Sequence, residues 1–286
     1  MLLQSAIGLL LLANASLSPA DTVLDVRQGD RLVIRDFRGT VVVDSWDRSQ
    51  LRASLDTKES RRFLIRRSGS ELELGLEERA HRERREDLRL TLPTWISLEL
   101  SGNEVEVEVE GIHGNVEIRN LRGDLTFADM GGVVEARSVE GRIEARDLTG
   151  TARLRTGEDD IRVSSSTASL NLETVDGDIR LEDVGGRHIS ARSTDGDITF
   201  TGGILPGGNY GFFSHDGDIT LRIEPPADFD ASILSYGGRF ESEFPVRAAG
   251  FRSGESLDFS VGSGGARVVV ETFSGPVLLM RAPGHE

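Results

Sequence analysis

Strict alternation of apolar and polar residues marks much of this chain. Residues 70–76 read Ser-Glu-Leu-Glu-Leu-Gly-Leu, and residues 104–109 read Glu-Val-Glu-Val-Glu-Val. Because a period of two places successive side chains on opposite faces of a strand, each segment predicts a strand with one buried and one wet face. The mixed charge run at 77–87 is the exception, and it predicts a solvated loop or hairpin tip, with a short helical turn as the alternative. We therefore predict an all-β protein.

An internal repeat organises these strands. Glycines stand nine residues apart, at Gly114, Gly123, Gly132, Gly141 and Gly150. Each of the first four glycines is followed by two apolar residues at alternate positions and then by a third apolar residue; these third residues are Leu121, Met130, Val139 and Leu148. The pattern predicts a short strand with two inward side chains, a turn with one further buried anchor, and a glycine where the backbone passes close to a neighbour.

The repeat changes its sequence further along the chain. Asp-Gly-Asp-Ile occurs at 176–179, 195–198 and 216–219, at intervals of 19 and 21 residues. Each interval is about twice the nine-residue repeat, so two nine-residue units form one coil of about 19 residues. Stacked coils bury the apolar side chains that a single coil leaves exposed. This predicts a β-solenoid, and the usual sense of parallel crossovers makes it a right-handed parallel β-helix. An antiparallel sandwich of hairpins is the rival fold, which explains the constant register less well.

Three segments follow from these patterns. Residues 1–20 are predicted to be a signal peptide, residues 21–110 an N-terminal β region that caps the stack, and residues 111–286 the repeat core. The glycine-rich segment 201–213 predicts a longer excursion from the coil. Pro276 has no backbone N–H and is tolerated best at a sheet edge, so it predicts the end of the stack.

The first 20 residues carry no charged side chain. Their apolar run at 7–12 is followed by Ser18, Pro19 and Ala20. Cleavage before Asp21 would place the small residues Ser18 and Ala20 at positions −3 and −1, as signal peptidase requires. An uncleaved anchor is the alternative, although the apolar stretch is short for a bilayer. We expect export to the periplasm or the cell surface, with no membrane insertion after cleavage.

Composition narrows the function classes. The 286 residues include 48 acidic and 33 basic ones, which gives a formal net charge of −15. Such a surface repels phosphate backbones, which argues against nucleic-acid partners. The chain has no cysteine, so disulfides, thiol catalysis, Fe–S clusters and cysteine-bound zinc are excluded. Aromatic residues make up 6% of the chain, which suits thin stacked layers better than a large globular core.

The Asp-Gly-Asp-Ile repeats also carry a family resemblance. The segment Thr-Val-Asp-Gly-Asp-Ile-Arg-Leu at 174–181 and its two successors resemble the repeats of the DUF4097 family, β-strand-repeat proteins of bacterial envelopes that are described as candidate adhesins. Gly39-Thr-Val-Val-Val, followed by Trp46-Asp47 and Leu92-Pro93, is similar to the usual opening of that family. The resemblance spans nearly all of 21–286. It implies a β-repeat fold and an envelope location, and it implies no particular ligand.

The aspartates of the repeats are one candidate site. Ca²⁺ takes six to eight oxygen ligands, and stacked carboxylates along one edge of the coils could supply them. The residues concerned are Asp176, Asp178, Asp195, Asp197, Asp216 and Asp218. Turn formation is the alternative, because Asp-Gly suits tight turns and the aspartate side chain accepts local backbone donors. We favour the turn role and assign no metal or other cofactor.

Aromatic and acidic side chains supply two further candidates. Tyr210, Phe212 and Phe213 stand beside a glycine-rich loop and could contact a glycan, while packing of the loop onto the coil is the competing role. The segment Glu158-Asp159-Asp160 could supply paired carboxylates for glycan cleavage, or it could be a solvated acidic loop. None of the five histidines is spaced as in a metal motif.

The sequence as a whole predicts a non-catalytic exported envelope protein that acts as a rigid scaffold or an adhesin-like binding surface. Its partner would be an envelope protein or a glycan, and we expect a monomer. A polysaccharide-active β-helix enzyme, lyase or hydrolase, and a self-assembling structural protein are the alternatives. The enzyme would need a groove with convergent carboxylates, and assembly would need exposed terminal coils.

Overall fold

The structure is a computed structural model that describes residues 14–19, 21–56, 62–76, 85–237, 239–246 and 254–282. Every regular element in these ranges is a strand, which confirms the all-β prediction. The strands are β1 (Asn14–Pro19), β2 (Asp21–Asp25), β3 (Arg31–Trp46), β4 (Gln50–Asp56), β5 (Arg62–Ser68), β6 (Glu71–Leu76), β7 (Glu86–Pro93), β8 (Ser97–Glu110), β9 (Val116–Arg122), β10 (Leu125–Met130), β11 (Val133–Arg137), β12 (Ile143–Leu148), β13 (Thr151–Arg155), β14 (Ile161–Ser166), β15 (Ser169–Glu173), β16 (Ile179–Val184), β17 (His188–Asp195), β18 (Ile198–Gly203), β19 (Asn209–Asp216), β20 (Ile219–Glu224), β21 (Phe229–Ser235), β22 (Phe240–Ser242), β23 (Ser256–Val261), β24 (Ala266–Thr272) and β25 (Val277–Arg281).

The strands form two series of parallel pairings around one continuous core. The first series, called the first sheet, runs β6, β3, β8, β9, β11, β13, β15, β17, β19, β24, β21, and the second sheet runs β7, β3, β8, β10, β12, β14, β16, β18, β20, β25, β22. The long strands β3 and β8 belong to both sheets, and β3 bends at Asp36, whose φ is 54°. From β9 to β20 the chain alternates between the sheets, so two strands and two corners complete one coil. The β-solenoid prediction is confirmed.

Register between coils is constant over most of the stack. Equivalent residues of successive coils pair with each other, as Leu125 does with Ile143 and Ile143 with Ile161. The same register continues from Ile179 to Ile198 and from Ile198 to Ile219, where the coils are slightly longer. The coil length predicted from the Asp-Gly-Asp-Ile spacing agrees with these pairings.

Two expected loops are shorter in the structure than the sequence indicated. Within 201–213, β18 continues to Gly203 and β19 begins at Asn209, so only 204–208 leave the coil. In the charge run at 77–87, Glu86 and Asp87 already belong to β7. The rest of that run up to residue 84 lies outside the described residues.

Inward side chains from both sheets build the core in thin layers. In the coil of β10 and β11, Leu125 and Phe127 are buried from one sheet, and Val134 and Ala136 are buried from the other. Burial of a valine, leucine or phenylalanine side chain contributes roughly 1.5–3 kcal/mol. Stability therefore accumulates coil by coil, as expected for a stack in which each repeat contacts only its neighbours.

The two corners of a coil differ, although the nine-residue repeat made them look alike. At one corner Met130 and Leu148 are buried, as predicted. At the other corner Leu121 and Val139 are 43% and 46% exposed, so the prediction of a buried anchor there is wrong. The physical reason is that the residue before them turns inward instead. Asn120, for example, donates side-chain hydrogen bonds to backbone carbonyls of that corner.

The last coil of the chain is inserted into the stack and does not lie at its end. Strands β24 and β25 lie between the coil of β19 and β20 and the coil of β21 and β22, although they follow both in sequence. The prediction that Pro276 marks the end of the stack is therefore wrong. Pro276 occupies an interior corner, where its carbonyl accepts a hydrogen bond from the N–H of Ile219 at 2.9 Å.

Antiparallel strands lie at both ends of the stack. At the N-terminal end β4 pairs antiparallel with β7 and β2 pairs antiparallel with β4, which extends the second sheet. In the first sheet β5 pairs antiparallel with β6, and β1 pairs antiparallel with β5. At the C-terminal end β23 pairs antiparallel with β21, and β22 is three residues long. Of the predicted signal peptide, residues 14–19 form β1, which cleavage before Asp21 would remove, and residues 1–13 and 20 lie outside the described residues. The segment boundaries at 1–20, 21–110 and 111–286 stay predictions.

Candidate functional site

The Asp-Gly-Asp motifs stack in one corner of successive coils. Gly177, Gly196 and Gly217 lie in a column there, and Gly275 continues it. A Cβ added at Gly196 would stand 2.0 Å from the carbonyl oxygen of Gly177, so a larger residue displaces backbone. The glycine of the motif is a packing requirement of this corner.

A column of aspartates, which includes the second aspartate of each motif, links successive coils. The carboxylate of Asp160 accepts a hydrogen bond from the backbone N–H of Asp178 at 3.1 Å. In the same way Asp178 accepts from the N–H of Asp197 at 3.0 Å, and Asp197 accepts from the N–H of Asp218 at 2.8 Å. We call these four residues the aspartate ladder. Its charge-assisted hydrogen bonds tie four coils together at one corner.

Arginines neutralise the first half of the aspartate ladder. Arg162 and Arg180 lie 2.9 and 2.7 Å from the carboxylates of Asp160 and Asp178. Uncharged threonines occupy the equivalent positions of the two later coils. The last two members of the ladder therefore lack an arginine at this position.

The aspartate ladder ends at Asp218. The equivalent residue of the following coil is Pro276, which has no N–H to donate to the Asp218 carboxylate. Burial raises the pKa of Asp218 above its usual range, and the nearby carboxylate of Asp197 raises it further. The ladder thus ends on a carboxylate whose ionised form is disfavoured.

The first aspartates of the motifs form an exposed acidic row at the same corner. The residues are Asp176, Asp195 and Asp216, and they pair through their backbones in consecutive coils, about 4.8 Å apart. Among the described residues there is no group of three or more histidine, aspartate or glutamate side chains placed to hold a metal ion. The geometry gives the second aspartates a role in backbone bonding. Ca²⁺ binding by the six aspartates, the less favoured alternative to turn formation, stays untested.

A buried row of hydroxyl groups supports this corner from the core side. Thr174 donates to the carbonyl of Asp159 at 3.0 Å, and Ser193 donates to the carbonyl of Gly177 at 2.9 Å. Ser214 repeats the contact one coil further on. Each hydroxyl satisfies a corner carbonyl of the preceding coil, which would otherwise be costly to bury. These serines and threonines stand three residues before the motif glycines, and this spacing is the signal in the sequence that marks the row.

A shallow open groove crosses the outer face of the first sheet, and we call it the sheet groove. It has a volume of about 630 Å³ and extends over β13, β15, β17, β19 and β24. Its floor is a row of short side chains at equivalent positions of consecutive strands, namely Asn171, Ser190, Gly211 and Val269. The same row begins with Arg153 on β13.

Further side chains line the groove on both sides of this floor. His188, Asn209 and Arg267 form one border, at paired positions of three neighbouring strands. Phe213 forms part of the other border, and the guanidinium of Arg192 lies 4.2 Å from the centre of its ring. From Asn171 to Val269 the floor lies below the longer side chains of Arg267 and Phe213 beside it.

Of the three aromatic residues predicted to contact a glycan, Phe213 alone has its ring at the surface. Tyr210 and Phe212 are 2% and 0% exposed, and both pack against Phe200 in the core. The prediction for these two is corrected, because a buried ring cannot stack on a sugar. The Tyr210 hydroxyl accepts a hydrogen bond from the N–H of Leu205 at 2.8 Å, which holds the 204–208 loop, and burial raises the pKa of this hydroxyl.

An exposed ring cluster lies at the aspartate corner near the C-terminal end. Its members are His215, Phe273 and Tyr236, from three neighbouring coils. Ring centres of Phe273 lie 4.9 Å from His215 and 5.6 Å from Tyr236. The sequence pattern gives no signal for this cluster, because only the insertion of β24 brings Phe273 between the other two rings.

The acidic segment Glu158-Asp159-Asp160 belongs to the corner, so its interpretation as a solvated loop is corrected. Asp159 stands where other coils have the motif glycine, and its carboxylate accepts a hydrogen bond from the N–H of Gly141 at 2.8 Å. Asp160 is the first member of the aspartate ladder. Neither carboxylate lines the sheet groove.

Parallel coils of constant register with a shared glycine and aspartate corner define a β-solenoid repeat protein. More specifically, the chain belongs to the Toastrack DUF4097 family, whose model matches residues 30–279. This confirms the resemblance seen in the Asp-Gly-Asp-Ile repeats. In the part of the chain that the structure describes, no helix has the length and apolar character needed to cross a membrane.

Three solved structures are similar to this chain over 92% of its length. One is a "putative cell adhesion protein" from Clostridium sporogenes, with 11% identity, 100% of that chain covered and a TM-score of 0.23. The second is a "putative adhesin" from Bacteroides fragilis, with 9% identity, 97% of that chain covered and a TM-score of 0.36. The third is a "putative lipid binding protein" from Parabacteroides distasonis, with 10% identity, 97% of that chain covered and a TM-score of 0.37. Likenesses this remote carry no argument about function. No curated protein matches the chain.

Proposed function

We propose that this chain is a non-catalytic, adhesin-like binding protein of the bacterial cell envelope, and that the sheet groove is its ligand-binding surface. The observation that supports this most directly is the groove itself, an open concavity of about 630 Å³ on an otherwise regular sheet face. That volume lies within the range of about 300–1,000 Å³ that is common for ligand sites.

The strands under the groove are held rigidly. Ser190 lies on β17, which pairs with β15 and β19, and Gly211 lies on β19, which pairs with β17 and β24. Corner bonds, such as that from Thr174 to Asp159, fix the same coils from the side. A site that is formed before its ligand arrives loses little conformational entropy on binding. The stack is therefore well suited to present a fixed binding surface.

The chemistry of the groove supports binding over hydrolysis. Its described lining residues include no aspartate or glutamate, whereas glycan hydrolases generally use two carboxyl groups that flank the scissile bond. The carboxylates suggested for such chemistry, Asp159 and Asp160, accept backbone N–H groups at a corner. A binding surface fits this arrangement better than a hydrolytic site.

The envelope location rests on residues 1–20, which are uncharged and have the features of a signal peptide. Fractionation of a bacterial host that produces the full chain tests this part of the proposal. We expect the protein in the periplasmic or extracellular fraction, with a mass reduced by the loss of about 20 residues. Full-length protein in the cytosol alone would contradict export.

Two variants of equal bulk test the binding role. Ser190→Tyr fills the floor of the sheet groove, and Thr199→Tyr adds the same side chain to the outer face of the second sheet, on β18. The purified chain and both variants are incubated with a panel of envelope polysaccharides. Bound protein is measured, together with new reducing ends and unsaturated products.

We expect the wild-type chain and Thr199→Tyr to bind at least one polysaccharide without forming products, and Ser190→Tyr to lose that binding. Sustained product formation that Ser190→Tyr abolishes would show an enzyme instead. Equal binding by all three proteins would place the ligand site outside the sheet groove.

A further inference from the structure

The sheet groove differs in charge from the rest of the chain. Its lining includes the arginines Arg153 and Arg267 and no acidic side chain among the described residues, on a protein with a formal net charge of −15. Arg153 shares its charge with Glu135 at 2.8 Å, across an exposed contact that is only weakly stabilising. An anionic ligand would be attracted to this surface and repelled by the acidic surfaces around it.

Neutral polar side chains fill the space between the charges. Ser169, Asn171, Ser190 and Asn209 all line the groove. Hydroxyl and amide groups both donate and accept hydrogen bonds, as the hydroxyl groups of a sugar also do. Phe213 adds one apolar ring at the border, against which the C–H face of a sugar can pack.

The positive charges stand at the two ends of the groove. Arg153 lies on β13 and Arg267 on β24, the first and last of the five strands that the groove crosses. Four strand spacings separate these strands, which is roughly 19 Å at 4.7–4.9 Å per spacing. A ligand that meets both arginines must therefore be an extended chain with more than one anionic group.

We propose that the sheet groove binds an anionic oligosaccharide, a sugar chain that bears carboxylate or sulfate groups. Arg153 and Arg267 bind its anionic groups at the two ends. Asn171 and Ser190 bond the sugar hydroxyls between them, and Phe213 packs against one sugar face. This inference rests on the proposed function and adds the chemical class of the ligand.

Calorimetric titration of the purified full chain tests the ligand class. The probes are an oligogalacturonate, a sulfated oligosaccharide, a neutral malto-oligosaccharide of equal length and an oligoglutamate peptide. We expect at least one anionic oligosaccharide to bind at least about tenfold more tightly than the neutral one and the peptide. Added NaCl should weaken this binding, because salt screens exposed charges. The uronate and sulfate probes show which anionic group is preferred.

Arginine variants test the charge at the groove. Arg267→Ala is expected to weaken binding of the anionic oligosaccharide at least about tenfold, because it removes charge-assisted hydrogen bonds. Arg267→Lys keeps the charge and loses the planar fork, so its affinity should be intermediate. Arg137→Ala removes an exposed arginine from β11, on the same sheet but outside the groove, and should bind as the wild type does.

The outcomes separate this inference from the proposed function. Equal affinity for neutral and anionic sugars, with no effect of Arg267→Ala, would overturn the anionic class, and loss of that binding in Ser190→Tyr would still support the groove as the site. Oligoglutamate that binds as tightly as oligogalacturonate would overturn the saccharide assignment. Polysaccharide binding that Ser190→Tyr leaves unchanged would overturn the groove itself.

Discussion

Gly196→Ala is expected to destabilise the stack through a single steric contact. The added methyl group would lie 2.0 Å from the carbonyl oxygen of Gly177 and 2.5 Å from its carbonyl carbon. Ordinary carbon–oxygen contacts measure about 3.3–3.6 Å, so the corner must open by more than ~1 Å. Overpacking costs about 1–3 kcal/mol, and because only backbone can yield here, we expect a loss of about 3 kcal/mol in the free energy of unfolding.

Gly185→Ala is the matched control. Gly185 also lies at a corner of the stack, but a Cβ there meets nothing within 4 Å, and its φ does not lie in the left-handed region. We expect this variant to match the wild type or to gain about 0.4–1 kcal/mol, because alanine restricts the unfolded chain more than glycine does.

Urea unfolding followed by far-ultraviolet circular dichroism measures both variants. With a denaturant slope of about 1–3 kcal/mol per molar urea, a loss of 3 kcal/mol lowers the midpoint by roughly 1–3 M. Equal midpoints for Gly196→Ala, Gly185→Ala and the wild type would refute the reasoning, since the corner would then have room for a side chain.

Four further predictions concern the corner and the ends of the stack. Asp178→Ala should lower the free energy of unfolding in urea by about 1–3 kcal/mol, because it removes the hydrogen bond to the N–H of Asp197 and the ion pair with Arg180. The control Asp176→Ala, at an exposed position, should change that free energy by less than about 0.5 kcal/mol. Thr174→Val, which keeps the shape and removes a buried hydroxyl, should cost about 1–2 kcal/mol, and an unchanged midpoint would contradict the hydroxyl row. The raised pKa of Asp218 means that its ionised form opposes folding at neutral pH, so Asp218→Asn should be slightly more stable at pH 7, by less than about 1 kcal/mol. This advantage should vanish as the pH falls through the folded pKa of Asp218, where the wild type becomes protonated; an advantage that persists at low pH would refute the cause. Size-exclusion chromatography should give a monomer at all concentrations, because antiparallel or short strands lie at both ends, and growth with concentration would favour the self-assembly alternative.

The coil architecture was predictable from sequence because the repeat is local. The nine-residue glycine spacing and the Asp-Gly-Asp-Ile motifs fix strand length, inward positions and coil length without reference to distant residues. The difference between the two corners was also present in the sequence. Asn120 and Ser138 precede Leu121 and Val139, and both side chains bond to backbone carbonyls of their corner. The residue before Met130 is the exposed Asp129. A comparison of alternate nine-residue units therefore shows this difference between the corners.

The insertion of the last coil could not be predicted in the same way. Ile219 pairs with Val277, and that register is set by packing between segments that are far apart in the chain. The replacement of the motif aspartate by Pro276 is visible in the sequence, but a proline there suits a sheet edge as well as an interior corner. In fact the corner tolerates proline because its carbonyl still receives the bond from Ile219, and only the bond to Asp218 is lost.

The sheet groove depends on residues that are equivalent in the stack and distant in sequence. Asn171, Ser190, Gly211 and Val269 form its floor only when coils of different length are aligned, including the inserted one. The aromatic signal pointed to the right region, since Phe213 borders the groove. The same signal gives the wrong role for Tyr210 and Phe212, because a single sequence does not distinguish an aromatic ring that packs in the core from one that is exposed.

A crystal structure of the full chain with a bound anionic oligosaccharide tests the central claim most directly. We predict an intact sugar chain over the row from Arg153 to Val269, with an anionic group at Arg267 and sugar hydroxyls bonded to Asn171 and Ser190. A sugar chain seated instead at the ring cluster of Phe273, or a groove that stays empty while the oligosaccharide binds elsewhere, would contradict the account.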